Sequence, residues 1–220
     1  MSIKHCDHHK DCERQQLYRR CCAAIAAIIL VVLLIVLIVW LVLRPTKPHF
    51  VLTDVAVACF NVTAGASSYS SSFLTVTMQA TLAAHNPNDR VGIFYDHAVA
   101  YAEYKGLQIT VPTALPVIYQ GHLDTSVWSP FLSGNNVPLP LNLAVSITQG
   151  ETAGYLLVTV RVEGWIRWKA GAIITSPYHL RVRCPALLTV NGGQGSYGSN
   201  AGGGDGYFTF QHAAPCVVDV

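Results

Sequence analysis

The densest group of side chains able to bind a metal stands at the start of the chain, in His5-Cys6-Asp7-His8-His9-Lys10-Asp11-Cys12. Thiolates and imidazoles this close together are ligands for zinc or copper. Their spacing matches no closed structural zinc site, however, and a free tail would lose much conformational entropy on binding. We therefore predict a solvated polar tail that holds no metal.

Two further cysteines, Cys21 and Cys22, lie between a basic segment and a long apolar run. Thiols in this juxtamembrane position are typical sites of palmitoylation. Two ordinary apolar residues at the end of a helix would give the same sequence. Both interpretations stay open, and the pair is a candidate lipidation site.

The sequence lacks the short motifs that mark common catalytic sites. It has no G-x-S-x-G nucleophile elbow, no H-E-x-x-H and no paired C-x-x-C. Gly193 to Gly198 matches the dinucleotide fingerprint, but the residues that follow cannot begin the helix whose N-terminus would bind the pyrophosphate. We predict no catalytic residue and no cofactor, and hence a protein that is not an enzyme.

The elements that would position any site begin with an apolar run over residues 23–43, which contains no charged side chain, no amide and no hydroxyl. A helix of that length covers about 31 Å, the thickness of the hydrocarbon core of a bilayer. A cleaved signal peptide has a shorter core followed by a small-residue cleavage site, and Trp40 to Pro45 offers none. We predict a retained signal-anchor helix, which excludes a cytosolic globular protein.

Charge sets the expected orientation of this helix. Five lysines and arginines precede the run and two, Arg44 and Lys47, come just after it, which favours a cytosolic amino terminus. Residues 44–220 would then lie in the secretory lumen or outside the cell. The formal net charge of +2 and the lack of a basic cluster beyond the helix argue against a nucleic-acid partner.

The outer side of the membrane would be oxidising, so cysteines there are candidates for disulfides. Three of the seven cysteines, Cys59, Cys184 and Cys216, fall on that side. Because Cys184 and Cys216 end two predicted strands, we predict that they are bridged, which leaves Cys59 buried or available for an intermolecular bridge. The sequon Asn61-Val62-Thr63 lies on the same side and predicts an N-glycan on Asn61.

The outer region shows the period-two alternation of half-buried strands. The alternation is clearest over 73–86 and 156–168 and shorter over 141–147 and 178–184. Turn-forming residues separate these stretches at Asn86-Pro87-Asn88-Asp89, Ser133-Gly134-Asn135-Asn136, Gln149-Gly150-Glu151 and Ser176-Pro177. No helical stripe follows Leu43. Seven or eight such strands predict an all-β, antiparallel β-sandwich of immunoglobulin or fibronectin-III type, preceded by one transmembrane helix.

Two segments depart from this pattern. Residues 1–22 are polar, without hydrophobic periodicity, and are predicted to form a disordered cytoplasmic tail. Residues 191–206 contain eight glycines and nothing to bury, which predicts a flexible loop before the last strand.

A series of short motifs runs along the chain. It comprises Arg44-Pro45-Thr46-Lys47-Pro48-His49-Phe50, Asn86-Pro87-Asn88, Tyr95-Asp96, Tyr119-Gln120-Gly121, Gly164-Trp165-Ile166-Arg167-Trp168-Lys169-Ala170-Gly171, Arg183-Cys184-Pro185 and Cys216-Val217-Val218-Asp219-Val220. In this order the motifs resemble the plant harpin-induced and non-race-specific disease resistance-like family, whose outer domain belongs to the late embryogenesis abundant group 2 class. Ile118 stands where that family often has an aromatic residue, and the glycine-rich loop looks like an insertion.

The resemblance implies a single-pass plasma-membrane protein of plants, associated with defence against pathogens and with stress signalling. We predict that it acts by display and docking, with partners at the cytoplasmic tail and the outer domain and with a homo-oligomer as a further candidate. The alternative is a protector of membrane or wall during water loss. The motifs also have structural explanations, since Asn86-Pro87-Asn88 suits a tight turn, Trp168 the core and Arg167 the surface.

Overall fold

The computed structural model describes residues 7–42, 45–63, 72–190 and 208–220. The chain divides into an amino-terminal helical unit, residues 1–44, and a β domain, residues 45–220. The predicted glycine-rich loop at 191–206 lies outside the described residues, as does the beginning of the tail.

The helical unit contains α1 (Asp7–Val42). Its stretch Tyr18–Ile38 has a mean hydropathy of 3.5, and its side chains are exposed. Apolar side chains exposed all round a helix of this length are typical of a segment that lies in lipid. The helix therefore has the length and composition of a membrane span.

The prediction of a disordered tail over 1–22 is wrong from Asp7 onward, because α1 already begins there. Starting a helix is costly, whereas extending one adds a hydrogen bond for each residue that is fixed. The apolar run starts the helix, and Glu13 to Leu17 are residue types with good helix propensity that continue it toward the amino terminus.

The described part of the β domain contains one helix, α2 (Leu141–Ala153), and fourteen strands. The strands are β1 (His49–Thr63), β2 (Ser72–His85), β3 (Gly92–Tyr104), β4 (Leu107–Gln108), β5 (Thr113–Ala114), β6 (Ile118–Gln120), β7 (Thr125–Trp128), β8 (Phe131–Leu139), β9 (Tyr155–Ala170), β10 (Ile173–Ile174), β11 (Tyr178–Val190), β12 (Phe208–Phe210), β13 (Ala214–Pro215) and β14 (Val217–Asp219).

These strands form two antiparallel sheets. Sheet A has the order β13-β1-β2-β7, and β8 pairs with the first half of β2 while β7 pairs with its end. Sheet B has the order β12-β11-β9-β3-β4, to which β14 adds on β11, β10 on β9, and β5 and β6 on β3. The predicted all-β, sandwich-like class is confirmed, and its assignment to the immunoglobulin or fibronectin type stays a prediction.

The core lies between the sheets and uses the faces that the alternation predicts. The inward side chains of β2 are Leu74, Val76, Met78, Ala80, Leu82 and Ala84, and those of β9 are Leu156, Val158, Val160, Val162, Ile166 and Trp168. All are buried in one hydrophobic cluster. Every second residue of these strands is therefore left to face outward.

The strand predicted at 141–147 is wrong, because this segment is α2, and Gln149-Gly150-Glu151 lies inside the helix instead of forming a turn. The helix buries Ala144 and Ile147, which are three residues apart and share one helical face. Pro140 precedes the helix, and Gly154 ends it with a left-handed φ of 85°. Pro140 and Gly154 are the features of the sequence that could have indicated a helix here.

The turn predicted at Ser133-Gly134-Asn135-Asn136 is also wrong, since β8 continues through it. The strand is irregular there, with Asn136 at a φ of 49°. Gly134 lies where a Cβ would collide with the backbone oxygen of Ile109. Glycine is needed at position 134 because the backbones of β8 and of Ile109 approach each other too closely to admit a side chain.

The end of the chain joins both sheets. β13 pairs with β1 in sheet A, whereas β14 pairs with β11 in sheet B. Between them Cys216 is bonded to Cys184 of β11, and its backbone N–H donates to the carbonyl of Phe50 in β1. Cys59 carries a free and exposed thiol, so the alternative of a buried Cys59 is wrong.

Candidate functional site

The motif residues divide into a buried set that builds one end of the sandwich and an exposed set on the outer face of sheet B. The buried set begins in the loop after β2. Asn86 is fully buried, donates from Nδ2 to the carbonyls of Val91 and Gly121 at 2.8 Å each, and accepts from both nitrogens of Asn88. Its side chain therefore ties the loop between β2 and β3 to the loop after β6.

Asn88 ties the same loop to the first residues of the domain. Its Oδ1 accepts from the backbone N–H and the hydroxyl of Thr46 at 2.8 Å, and its Nδ2 donates to the Thr46 carbonyl. Pro87 lies between the two asparagines and restricts φ in this turn. The motif Asn86-Pro87-Asn88 thus has the structural role of a fully hydrogen-bonded loop.

Gln120 on β6 links the two sheets through hydrogen bonds of its side-chain amide. Its Nε2 donates to the carbonyls of Ala84 and Asp124, and its Oε1 accepts from the hydroxyl of Tyr95 at 2.9 Å. Burial raises the pKa of Tyr95, so this hydroxyl stays protonated and remains a donor. Gln120 therefore satisfies buried polar groups from both sheets.

Gly164 and Gly171 are required for backbone geometry. Gly171 closes the turn between β9 and β10 at a φ of 59°. Gly164 is buried opposite an irregularity in the pairing of β3 with β9, where a Cβ would lie 2.7 Å from the Cα of Ala98. Trp168 packs into the core between them, with 5% of its surface exposed.

We expect Gly164→Ala to lower the free energy of unfolding by about 2 kcal/mol, because the new methyl group must displace the backbone of β3. Urea unfolding of residues 45–220 would measure this change. Gly121→Ala is the matched control, since its Cβ would meet nothing closer than Asp124 at 3.9 Å. Equal stability of the two variants would contradict the close approach at Gly164.

The exposed set forms what we term the docking face, defined as Phe94, Tyr119, Trp165, Arg167 and Lys169. Phe94 and Tyr119 lie side by side on β3 and β6, with ring centroids 4.6 Å apart. The guanidinium carbon of Arg167 lies 5.7 Å from the Phe94 ring, and Lys169 Nζ lies 5.2 Å from the Tyr119 ring. Two cations are thus held over two aromatic rings.

Neighbouring residues fix this arrangement. Arg167 Nε forms an ion pair with Asp96 Oδ2 at 2.6 Å. Trp165, 44% exposed, lies opposite Asp96 in the register of β3 with β9 and packs against His179 on β11 at 5.0 Å. Gly92 leaves room for the Tyr119 ring, which a Cβ would meet at 2.7 Å. The face is therefore preorganised and not a set of free side chains.

The same surface continues along β9 and β11 as a row of charges. Arg161 Nε lies 2.7 Å from Glu103 Oε2, although its N–H does not point at the carboxylate. Arg183 pairs with Asp219 at 2.9 Å, and the Tyr101 hydroxyl donates to Glu163 at 3.0 Å. Burial and the neighbouring Glu163 carboxylate raise the pKa of Tyr101, which keeps this donor protonated.

Another cavity lies between α2 and the end of β1 and has a volume of about 950 Å³. Its lining contains no motif residue, and Glu151 is its one ionisable side chain among the described residues. Burial raises the pKa of this carboxyl. Within the described part of the chain, no group of three His, Cys, Asp or Glu side chains could hold a metal.

Comparison with known proteins finds relatives along almost the whole chain. NDR1/HIN1-like protein 1 of Arabidopsis thaliana is 38% identical over 219 residues, which cover 96% of this chain and 100% of that protein. NDR1/HIN1-like protein 12 of the same plant is 40% identical over 190 residues, covering 86% of this chain and 88% of that protein. The chain belongs to the NDR1/HIN1-like family.

A family model described as late embryogenesis abundant protein matches residues 81–184. This range contains both the buried motif network and the docking face and ends at the disulfide cysteine of β11. A crystal structure of a protein from Archaeoglobus fulgidus aligns with 62% of this chain and 98% of its own, at 12% identity and a TM-score of 0.32, which is too low to bear on fold or function.

The NDR1/HIN1-like motifs mark part of the exposed site but not all of it. They contain Tyr119, Arg167 and Lys169, which the structure brings together. Phe94 was not singled out from the sequence, although it directly precedes the Tyr95-Asp96 motif, whose Tyr95 side chain is buried. Cys21 and Cys22 are exposed on α1, where both thiols are free.

Proposed function

We propose that this chain is a single-pass plasma-membrane protein that holds its amino terminus in the cytosol and displays its β domain outside the cell. There it acts in defence and stress signalling by docking a protein partner. Membership of the NDR1/HIN1-like family and the late embryogenesis abundant domain support a role related to plant defence or stress. The observation that carries the docking role is the docking face.

The composition of the docking face is that of an interaction site. Tyrosine, tryptophan and arginine dominate the binding energy of protein interfaces, and here one of each lies on one sheet face. Tyr119 is 46% exposed and Trp165 is 44% exposed, so both offer apolar area to a partner. Rigid aromatic groups lose little conformational entropy on binding, which favours docking over catalysis as the function of this face.

The test replaces the exposed aromatic area while leaving the fold intact. In plant cells that lack the endogenous protein, a Tyr119→Ser and Trp165→Ser double variant should reach the cell surface yet fail to restore the response to a bacterial elicitor. Phe131→Ser on sheet A, where the side chain is 66% exposed, is the matched control and should restore it. A normal response from the double variant would refute docking through this face.

Protection during water loss is the second candidate, favoured by the late embryogenesis abundant domain. A protector acts through its bulk surface and should tolerate the docking-face variant. Survival of drying that depends on the protein, but not on Tyr119 and Trp165, would therefore favour this candidate.

Topology is tested at Asn61, which is exposed on β1 and points away from the core-facing Phe60 and Val62. We expect one N-glycan there, so that enzymatic deglycosylation shifts the mobility of the protein from plant membranes. Asn61→Gln should abolish the shift, whereas Thr63→Ser, which keeps the sequon, should retain it. Protease added to intact protoplasts provides the independent check, and a β domain that is spared there but cut in inside-out vesicles would show that the proposed orientation is reversed.

A further inference from the structure

A polar cleft of about 500 Å³ adjoins the docking face on sheet B. It is lined by Arg161, Glu163, His179, Arg181, Arg183 and Asp219. We term it the arginine cleft. It meets the docking face where His179 packs against Trp165. The two surfaces therefore form one continuous strip along β9.

One guanidinium group in the arginine cleft, that of Arg181, forms no ion pair with the described residues. Arg181 lies between Glu163 and Asp219 in the registers of β11 with β9 and with β14. Both carboxylates are engaged elsewhere, Glu163 by the Tyr101 hydroxyl and Asp219 by Arg183. Among the described residues, Arg181 has no ion pair, and its side chain is exposed. Its planar guanidinium group can therefore donate two parallel hydrogen bonds to a carboxylate of a partner.

A second cation without a carboxylate lies at the far end of the strip. Lys169 has its ammonium group over the Phe94 and Tyr119 rings, at 5.8 and 5.2 Å from their centroids. No described acidic residue lies within ion-pair distance of it. The strip thus presents one unpaired positive charge at each end.

The separation of these charges follows from the register. Arg181 is opposite Glu163 on β9, and Lys169 is six residues further along the same strand. At about 3.3 Å per residue the two cations are about 20 Å apart. Between them on the same face lie Trp165 and the Arg167–Phe94 contact.

We infer that the docking face and the arginine cleft together bind an extended acidic segment of a protein partner, in which two acidic side chains are six residues apart and an aromatic or aliphatic side chain lies between them. This inference rests on the proposed docking function. One carboxylate of the segment pairs with Arg181, the other pairs with Lys169, and the apolar side chain packs on Trp165.

Spaced acidic residues fit this strip better than a uniform polyanion does. A chain with a carboxylate on every unit would place negative charge against Asp96, which lies between the two unpaired cations in the register of β3 with β9. Like charges at close range cost binding energy. A peptide with acids only at its two ends avoids that repulsion.

The experiment uses the full-length chain in nanodiscs of uncharged lipid and a fluorescent peptide of nine residues. The peptide has glutamate at positions two and eight, phenylalanine at position four and serine elsewhere. We expect Arg181→Ala and Lys169→Ala each to weaken binding about fivefold, the upper range for an exposed ion pair. The double variant should bind about 25-fold more weakly, because sites this far apart act independently. Arg90→Ala, which removes an exposed charge from a loop, should bind as the wild type does.

Two further probes decide the chemistry of the partner. A peptide with its glutamates at positions two and six should bind about fivefold more weakly, since it reaches one cation only. A chain of five galacturonate units that binds more tightly than the peptide, and loses binding in the double variant, would assign the strip to an acidic polysaccharide and overturn the inference. Wild-type affinity of the double variant would overturn it as well. If the peptide measurements overturn the inference while Tyr119→Ser and Trp165→Ser still abolish the elicitor response, the acidic segment is rejected and the docking function stands.

Discussion

Replacing Cys184 and Cys216 together by alanine is expected to lower the free energy of unfolding of residues 45–220 by about 3–4 kcal/mol. The bond joins two residues that are 32 positions apart in the sequence, so its loss returns conformational entropy to the unfolded chain. The loss also frees the segment from β13 to β14, which joins the two sheets. Urea unfolding followed by tryptophan fluorescence would measure the change.

The control for the disulfide variant is Cys59→Ala. Its thiol is exposed and free, so its removal should change stability by less than about 0.5 kcal/mol. Unfolding of the double variant at the same urea concentration as the wild type would contradict a stabilising role for the bond.

Asn86→Ala is expected to cost about 3–4 kcal/mol, because it leaves polar groups of two loops, those after β2 and after β6, without partners. Asn86→Asp should cost more at neutral pH, although the two side chains have nearly the same shape. The change puts an oxygen where Nδ2 now donates to two carbonyls at 2.8 Å, so attraction becomes repulsion. Denaturant unfolding would rank the two variants.

Asn135→Ala is the matched control for the asparagine series. Asn135 is exposed on β8, and its replacement should change stability by less than about 0.5 kcal/mol. An Asn86→Asp variant as stable as this control would show that the loop network does not support the domain.

Strands that bury one face and expose the other could be predicted from the sequence. β2 and β9 keep a strict period of two because every second residue enters the same core, and the pattern survives whatever the strands pair with. α2 was not predictable from alternation alone, because Leu141, Leu143, Val145 and Ile147 satisfy period two by chance. Its buried residues, Ala144 and Ile147, follow the helical spacing instead.

The exposed site could be predicted only in part. Motifs indicated Tyr119, Arg167 and Lys169, but not that β6, β3 and β9 would be neighbours in that order. The unpaired state of Arg181 depends on which carboxylates Tyr101 and Arg183 reach, and these contacts follow from the register of four strands. Strand order and register are long-range properties that local patterns do not determine.

The position of Cys216 has a consequence for biosynthesis. Cys59 and Cys184 both leave the ribosome before Cys216, and at 5–20 residues per second the delay after Cys184 is about two to six seconds. In the oxidising compartment proposed above, Cys59 and Cys184 can both be oxidised before Cys216 is made, and Cys59 is exposed even in the finished domain. With the proposed orientation, each newly made chain passes through a period in which the wrong pair can form, and its maturation would then depend on thiol–disulfide exchange as well as on folding.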